Sequence, residues 1–212
     1  MAKPSEPAVE FSLGVAILAA GFSTRMGQPK LLLPWRDTSV LGHLLRTWTI
    51  LGAEQIAVVC AEKASEIHTE LDRLDFTRQD RIVNPKPELG MFSSIQCAAR
   101  WPNWQTSLTN FAVVLGDQPH LLRRTLEQLL DFAAAHPGNI CQPLRNGRRR
   151  HPVILPRETF TKLGEFSGAD LKQFLNSAPE SLAGCEVNDP GLDLDLDSPA
   201  DYERAKALAD SR

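Results

Sequence analysis

Short apolar runs alternate with helix-like segments along most of this 212-residue chain. Four runs are continuous and rich in Val, Ile or Leu: LGVAIL (13–18), IAVVC (56–60), RIVNP (81–85) and FAVVLGDQP (111–119). Continuous apolar character is typical of parallel strands that helices cover on both faces. The alternation therefore predicts an α/β fold in which a mostly parallel sheet lies between two layers of helices.

Segments with helical spacing separate these runs. One apolar stripe runs through 40–51 and stops at Gly52, and further helices are predicted over 63–74, 93–101 and 121–136. After residue 139 the pattern is less regular. It predicts helices near 158–163 and 169–177, a last alternating strand in LDLDLD (192–197) and a C-terminal helix. We expect a single domain over 13–212.

Composition and charge exclude several classes of function. A net charge of −3 makes the chain a poor binder of nucleic acid or anionic membranes. Residues 1–12 lack the apolar centre of a signal peptide and are expected to form a short disordered lead, and no run approaches the ~20 residues of a membrane span. The four cysteines lie far apart in sequence, which predicts buried, reduced thiols in a cytoplasmic protein and no zinc site.

The first predicted strand runs directly into a glycine-containing basic loop, AAGFSTRMGQPKLLLPW (19–35). Ligands of open parallel sheets bind beyond the C-terminal ends of the strands. Backbone amides between Gly21 and Gly27, with the positive charges of Arg25 and Lys30, suit a phosphate chain. The spacing matches neither the P-loop nor the dinucleotide fingerprint. A surface loop with incidental charges is the alternative, but its position after the first strand favours a triphosphate site.

Asp117 follows the buried run FAVVLG. A carboxylate at the mouth of that strand would repel a nucleotide held by the first loop unless a cation lay between them. Mg²⁺, which binds one or two carboxylates together with phosphate oxygens, is the expected occupant. The alternative is a turn aspartate that caps the next helix.

A second carboxylate is predicted near the C terminus. In LDLDLDSPADY the leucines share one face of the predicted strand and the aspartates Asp193, Asp195 and Asp197 share the other. Ser198 suits a helix N-cap and Pro199 the first helical position. Asp197 would then close the strand at the edge where ligands gather. Solvated aspartates on an edge strand are the alternative, above all for Asp193 and Asp195.

Two further segments carry polar residues at element boundaries. Ser93 and Ser94 fall at a predicted helix start, where a hydroxyl caps the helix or reaches a ligand. The basic run RNGRRRHPV (145–153) precedes a strand, and solvated surface is the simplest interpretation of Arg148 and Arg149. His151 either orients an acceptor phosphate or hydrogen-bonds a backbone carbonyl.

The stretch LAAGFSTRMGQPKLLLPW closely resembles the L-A-A-G-x-S-x-R-M-G-x-x-K-L-L-L-P-W signature of molybdenum cofactor cytidylyltransferases, within the MobA-like nucleotidyltransferase group. Further segments resemble that family in the same order: NPKPELGMFSSIQCAAR, VVLGDQPHL, RHPVILP and LDLDLDSPADY. The resemblance implies a Rossmann-like three-layer α/β/α sandwich of the nucleotidyltransferase type. It also implies a nucleotide-binding half over about 13–120 and an acceptor-side half over about 139–200.

The same resemblance assigns roles to individual residues. Lys30, Arg25 and Asp117 would be catalytic, Asp117 and Asp197 would hold Mg²⁺, and His151 and Arg150 would bind the acceptor. The nucleotide would be bound by Ala19, Ala20, Gly21, Ser23, Arg25, Gly27 and Lys30, with Ser93 and Ser94 at its base or sugar.

The implied reaction transfers CMP from CTP to molybdopterin, with a molybdoenzyme as a candidate recipient of the product. The LAAG motif, where guanylyltransferases of the group tend to carry LAGG, predicts CTP as the donor. Two departures from the family leave open whether the acceptor is a pterin or another phosphate: Arg150 stands where the family often has glycine, and FSGADLKQF matches its acceptor motif only loosely. A sugar- or polyol-phosphate nucleotidyltransferase and a non-catalytic molybdenum-cofactor chaperone are the alternatives.

Overall fold

The computed structural model describes residues 10–21 and 26–211, except for the side chain of Glu180. The strands, in chain order, are β1 (Leu13–Ala19), β2 (Pro34–Trp35), β3 (Thr38–Ser39), β4 (Gln55–Ala61), β5 (Arg81–Asn84), β6 (Asn110–Leu115), β7 (Ile140–Arg145), β8 (Arg148–Arg149), β9 (Val153–Pro156) and β10 (Leu182–Glu186). The α-helices are α1 (Val40–Ile50), α2 (Ser65–Arg73), α3 (Met91–Arg100), α4 (Arg123–Ala135), α5 (Arg157–Glu165), α6 (Leu171–Asn176) and α7 (Pro199–Asp210).

The main sheet has the strand order β10-β7-β9-β6-β1-β4-β5, and β8 pairs with β7. β1 lies at its centre and runs parallel to β4 on one side and to β6 on the other. The pairs made by β9 and β8 are antiparallel. The prediction of a mostly parallel sheet is confirmed, and the antiparallel insertion lies in the half whose sequence pattern is less regular.

Helices cover both faces of this sheet. Along β1, Val15 and Ile17 pack into one apolar cluster, which includes residues of α1, α2, α4 and α7. The alternate residues Ala16 and Leu18 pack into the other, with residues of α3, α5 and α6. Because successive side chains of a strand point to opposite faces, a continuous apolar run supplies both layers. The predicted three-layer α/β/α sandwich is confirmed.

Predicted helix boundaries are explained by local chemistry. The Ser198 hydroxyl accepts a hydrogen bond from the backbone N–H of Asp201, and Pro199 is the first residue of α7, as predicted. Gly52 follows the end of α1 with a φ of 85°, a left-handed conformation that glycine adopts without a steric penalty.

Three sequence predictions were wrong. LDLDLD is not a strand: Pro190–Asp193 forms a 3₁₀ turn, and the strand at that edge of the sheet is β10 instead. β5 is an edge strand rather than one covered on both faces, and 47% of Val83 is exposed. Cys97 is half-buried, whereas the other cysteines are buried as predicted.

The parallel strands end at one edge of the sheet. The segments after β1, β4, β5 and β6 therefore lie side by side, with Gly116 donating a hydrogen bond to the carbonyl of Leu18 across the β1–β6 pair. Within 10–21 and 26–211, no helix is long and apolar enough to cross a membrane.

Candidate active site

Three segments that are distant in sequence meet at this edge through Lys30, Asp117 and Asp197. The Nζ atom of Lys30 lies 2.5 Å from Oδ2 of Asp117 and 3.7 Å from Oδ1 of Asp197. The side chains of Lys30 and Asp117 are 14% and 18% exposed, whereas that of Asp197 is 42% exposed. The two carboxylates assigned to a metal thus converge on one cationic group, the ammonium of the predicted phosphate-binding lysine.

Backbone contacts hold Asp117 at this position. A Cβ atom on Gly116 would lie 2.6 Å from the carbonyl oxygen of Leu18 and 3.0 Å from a methyl carbon of Leu31, so only glycine fits here without a shift. The carbonyl of Asp117 accepts a hydrogen bond from the N–H of Leu196 at 3.2 Å. That bond joins the end of β6 to the segment that carries Asp197. Asp117 does not cap α4, whose N-cap is Leu122.

Asp195 is a further carboxylate of this site, and the sequence analysis left it as a surface residue. It accepts a hydrogen bond from Nε2 of Gln118 at 2.8 Å. Burial raises the pKa of Asp195, and the negative charges of Asp117 and Asp197 raise it further. Its alternation with Asp197 was the available signal. The signal misled because the segment is not a strand, so opposite-face reasoning did not apply.

The donor set suits a hard divalent cation. Asp117 and Asp197 supply oxygen ligands, and the Lys30 ammonium between them shows that their oxygens face a single point. Among the described residues, no group of three or more His, Cys, Asp or Glu side chains could hold a metal ion. Two carboxylates are nevertheless the usual protein share for Mg²⁺, which takes its other ligands from water and phosphate.

A cleft of about 790 Å³ opens beside the first loop, a size typical of small-molecule sites. Its walls come from the ends of β1, β4 and β5 and the turns that follow them. They include Ala19, Ala20, Gly21 and Gly27, predicted to bind the nucleotide. Ser23 and Arg25, also predicted, lie outside the described residues.

Ser93 and Ser94 lie within α3 rather than at its start, and neither caps it, since the N-cap is Gly90. Both hydroxyls accept a hydrogen bond from Nδ2 of Asn84, at 2.8 and 2.9 Å. The Oδ1 atom of Asn84 in turn accepts from the N–H of Lys86 at 2.9 Å. This Asn84 clasp closes the turn that forms one wall of the cleft. Base or sugar contact by the serines stays a prediction.

His151 lies near the Asp117 end of β6, at the start of the segment that leads into β9. Burial lowers its pKa, while the backbone of Val113 and the Asp117 charge act in the opposite direction. Its Nδ1 atom is buried and has no hydrogen-bond partner in the described part of the chain. A neutral imidazole offers an acceptor phosphate a hydrogen bond rather than a full charge.

Arg150 is paired with Asp193, which also pairs with Arg145. Two nitrogens of Arg150 contact Oδ1 of Asp193, at 2.9 and 2.5 Å. The predicted acceptor contact therefore starts from an existing ion pair, and Asp193 is not the free surface carboxylate of the sequence alternative. Arg145, Arg148 and Arg150 border a cleft of about 550 Å³ with a surplus of positive charge.

Comparison with known proteins agrees with this architecture. The MobA-like NTP transferase domain family matches residues 15–182. The molybdenum cofactor cytidylyltransferase of Escherichia coli is 25% identical over 194 residues, covering 90% of this chain and 93% of that protein. The nicotine blue oxidoreductase of Paenarthrobacter nicotinovorans is 27% identical over 197 residues, covering 84% of this chain and 90% of that protein.

Solved structures resemble the chain over nearly its whole length. Rv0371c from Mycobacterium tuberculosis has a TM-score of 0.75 and 29% identity, covering 93% of this chain and 98% of that one. Rv0371c has also been solved in complex with manganese, in a structure with a TM-score of 0.66 to this chain.

Proposed function

The chain belongs to the MobA-like NTP transferase family, and on that premise we propose that it transfers CMP from CTP to the terminal phosphate of molybdopterin. An oxygen of that phosphate forms a bond to the α-phosphorus of CTP, and the bond from the α-phosphorus to the oxygen that bridges to the β-phosphorus breaks. Pyrophosphate leaves with that oxygen and its electron pair. The products are molybdopterin cytosine dinucleotide and pyrophosphate.

The observation that carries this proposal is the convergence of Asp117 and Asp197 on Lys30. Nucleotidyl transfer brings two anions together, so its main requirement is positive charge that is fixed in place before reaction. Lys30 supplies one such charge beside the first loop. Mg²⁺ bound by Asp117 and Asp197 would neutralise phosphate charge and stabilise the leaving pyrophosphate. A protein that only carried a cofactor would not need this pair of carboxylates.

The order of the groups along the sheet edge supports transfer between two ligands. The 790 Å³ cleft lies at the ends of β1, β4 and β5. Asp117 follows β6, on the other side of β1, and the arginine-lined cleft lies farther out beside β7 and β8. A donor held in the first cleft and an acceptor held near Arg150 and His151 would thus meet beside Asp117. Positioning of this kind supplies much of the rate of a two-substrate reaction.

Pyrophosphate release tests the proposal. The protein would be incubated with Mg²⁺ and each of CTP, GTP, UTP and ATP, against molybdopterin with and without molybdenum, a sugar phosphate and a polyol phosphate. We expect release with CTP and molybdopterin, in line with the LAAG motif and the cytidylyltransferase relative.

Other outcomes would redirect the assignment. Equal or faster turnover of GTP would overturn the CTP preference. Release only with a sugar or polyol phosphate would move the acceptor assignment to that class. Nucleotide binding without release from any acceptor would favour the non-catalytic alternative and reject transfer.

A further inference from the structure

Lys30 occupies the point on which the two candidate metal ligands converge. Its ammonium is 2.5 Å from one carboxylate and 3.7 Å from the other, and its side chain is largely shielded from water. A dication at the same point would meet a positive charge at close range, and shielding from solvent strengthens such a repulsion. Lysine and metal therefore cannot share this position.

The surrounding charge explains why a cation is needed there. Asp117, Asp195 and Asp197 bring three carboxylates together against the single ammonium of Lys30, and each of the other charges acts on Asp195. Removing Lys30 without replacing its charge would leave these carboxylates repelling one another. An exchange of cations is thus easier than a vacancy.

Lys30 is also able to leave. It begins the short 3₁₀ turn Lys30–Leu32, directly after the loop that carries Gly27, and its four-carbon stem lets the ammonium take up new positions. Leu31, the next residue, lines the 790 Å³ cleft. Phosphates bound at this loop would therefore come within reach of the lysine, and a polyphosphate attracts an ammonium more strongly than a partly screened carboxylate does.

We propose that Lys30 holds the cation position in the unliganded protein, so that a divalent metal enters only together with a nucleotide whose phosphates draw the lysine ammonium away. The proposal rests on the proposed function in taking a nucleoside triphosphate as the ligand. Metal and nucleotide then bind with strong mutual dependence. Metal alone binds weakly, because it must displace a lysine that has no other anion to go to.

Binding of Mn²⁺, measured from the free-ion signal in electron paramagnetic resonance, tests this without any acceptor or turnover. In the wild-type protein we expect the affinity for Mn²⁺ to rise at least ten-fold when a non-transferable α,β-methylene analogue of CTP is present. In Lys30→Met, which keeps the length of the side chain and removes its charge, Mn²⁺ alone should bind at least ten-fold more tightly than to the wild type. Lys162→Met, an exposed lysine of α5 paired with Glu158, is the matched control and should behave as the wild type.

A thermal readout covers the case of a weakened variant. Mn²⁺ should raise the melting temperature of Lys30→Met more than that of the wild type, because the metal replaces the missing charge. The proposal is overturned if wild-type protein binds Mn²⁺ equally well with and without the analogue, a measurement that needs no variant. It is also overturned if a folded Lys30→Met gains no metal affinity. Either result is separate from failure of the proposed transfer, which would show as absent pyrophosphate release while these metal measurements still held.

Discussion

The ammonium of Lys30 lies 2.5 Å from the Asp117 carboxylate, although the two residues are 87 positions apart in sequence. The first belongs to the loop after β1 and the second to the turn after β6, and these strands are neighbours at the centre of the sheet. The pair therefore connects the predicted donor loop to the predicted metal ligand. Most of the following predictions test how the fold holds this pair and its surroundings.

Asp117→Asn should abolish most of the activity while leaving the fold intact. The amide keeps the shape of the side chain and removes the charge that would hold Mg²⁺ and orient Lys30. We expect a loss of about 100-fold or more in kcat, the size typical of removing one charge-stabilising group from an active site. Steady-state pyrophosphate release measures it, and circular dichroism checks folding. Asp131→Asn, an exposed aspartate of α4, is the control, and wild-type turnover by Asp117→Asn would refute the assigned role.

Gly116→Ala should impair both stability and activity. The new Cβ would lie 2.6 Å from the Leu18 carbonyl, so the turn carrying Asp117 must move. Overpacking of this kind costs about 1–3 kcal/mol, measurable by urea denaturation. Gly21→Ala provides a stability control, because no atom lies within 4 Å of its added Cβ. Equal stabilities of the two variants would show that the turn relaxes freely.

Asn84→Ala should weaken nucleotide binding more than it slows transfer. Loss of the clasp leaves the Lys86 N–H and two serine hydroxyls without their partner, which costs about 1–3 kcal/mol for each buried group left unsatisfied. The loosened turn forms one wall of the cleft, so KM for the nucleotide should rise while kcat changes little. Ser93→Ala removes a single bond and should give a smaller effect. A fall in kcat at constant KM would contradict a positioning role.

Acidification should destabilise the protein as the pH falls below about 6.5, the ordinary pKa of histidine. Burial lowers the pKa of His120 in the folded state, so the unfolded chain binds a proton in a pH range where the folded chain does not. The stabilisation is therefore present above the unfolded pKa and is lost as the pH decreases. The pKa values of His43 and His151 are lowered in the same direction.

Urea denaturation between pH 5 and pH 7.5 checks this dependence. His120→Gln keeps a donor for the Gly191 carbonyl, which the histidine ring contacts at 3.0 Å. It should reduce the slope of unfolding free energy against pH by up to about 1.4 kcal/mol per pH unit, the contribution of one proton. His136→Gln, an exposed position, should leave the slope unchanged. An unchanged slope in His120→Gln would show that this histidine is protonated in the folded state.

The sequence by itself determined the layers of the fold and the main components of the site. Continuous apolar runs can be satisfied only between two helix layers, so the α/β/α architecture followed from local pattern. Ser198 and Pro199 likewise marked the start of α7, because helix capping depends on a few neighbouring residues. Lys30 and Asp117 were found because each follows a buried strand of a parallel sheet, and such ends share one edge.

Only the tertiary structure decided which of these side chains meet. The segment 192–197 has the alternation of a strand, yet hydrogen bonds to the end of β6 hold it in a 3₁₀ turn and an extended tail, which brings Asp195 in beside Asp197. The attachment of Arg150 to Asp193 and the Asn84 clasp depend in the same way on contacts between distant segments. Local periodicity carries no information about such pairings. They are set by strand order and by the packing that a buried polar group needs to find its partner.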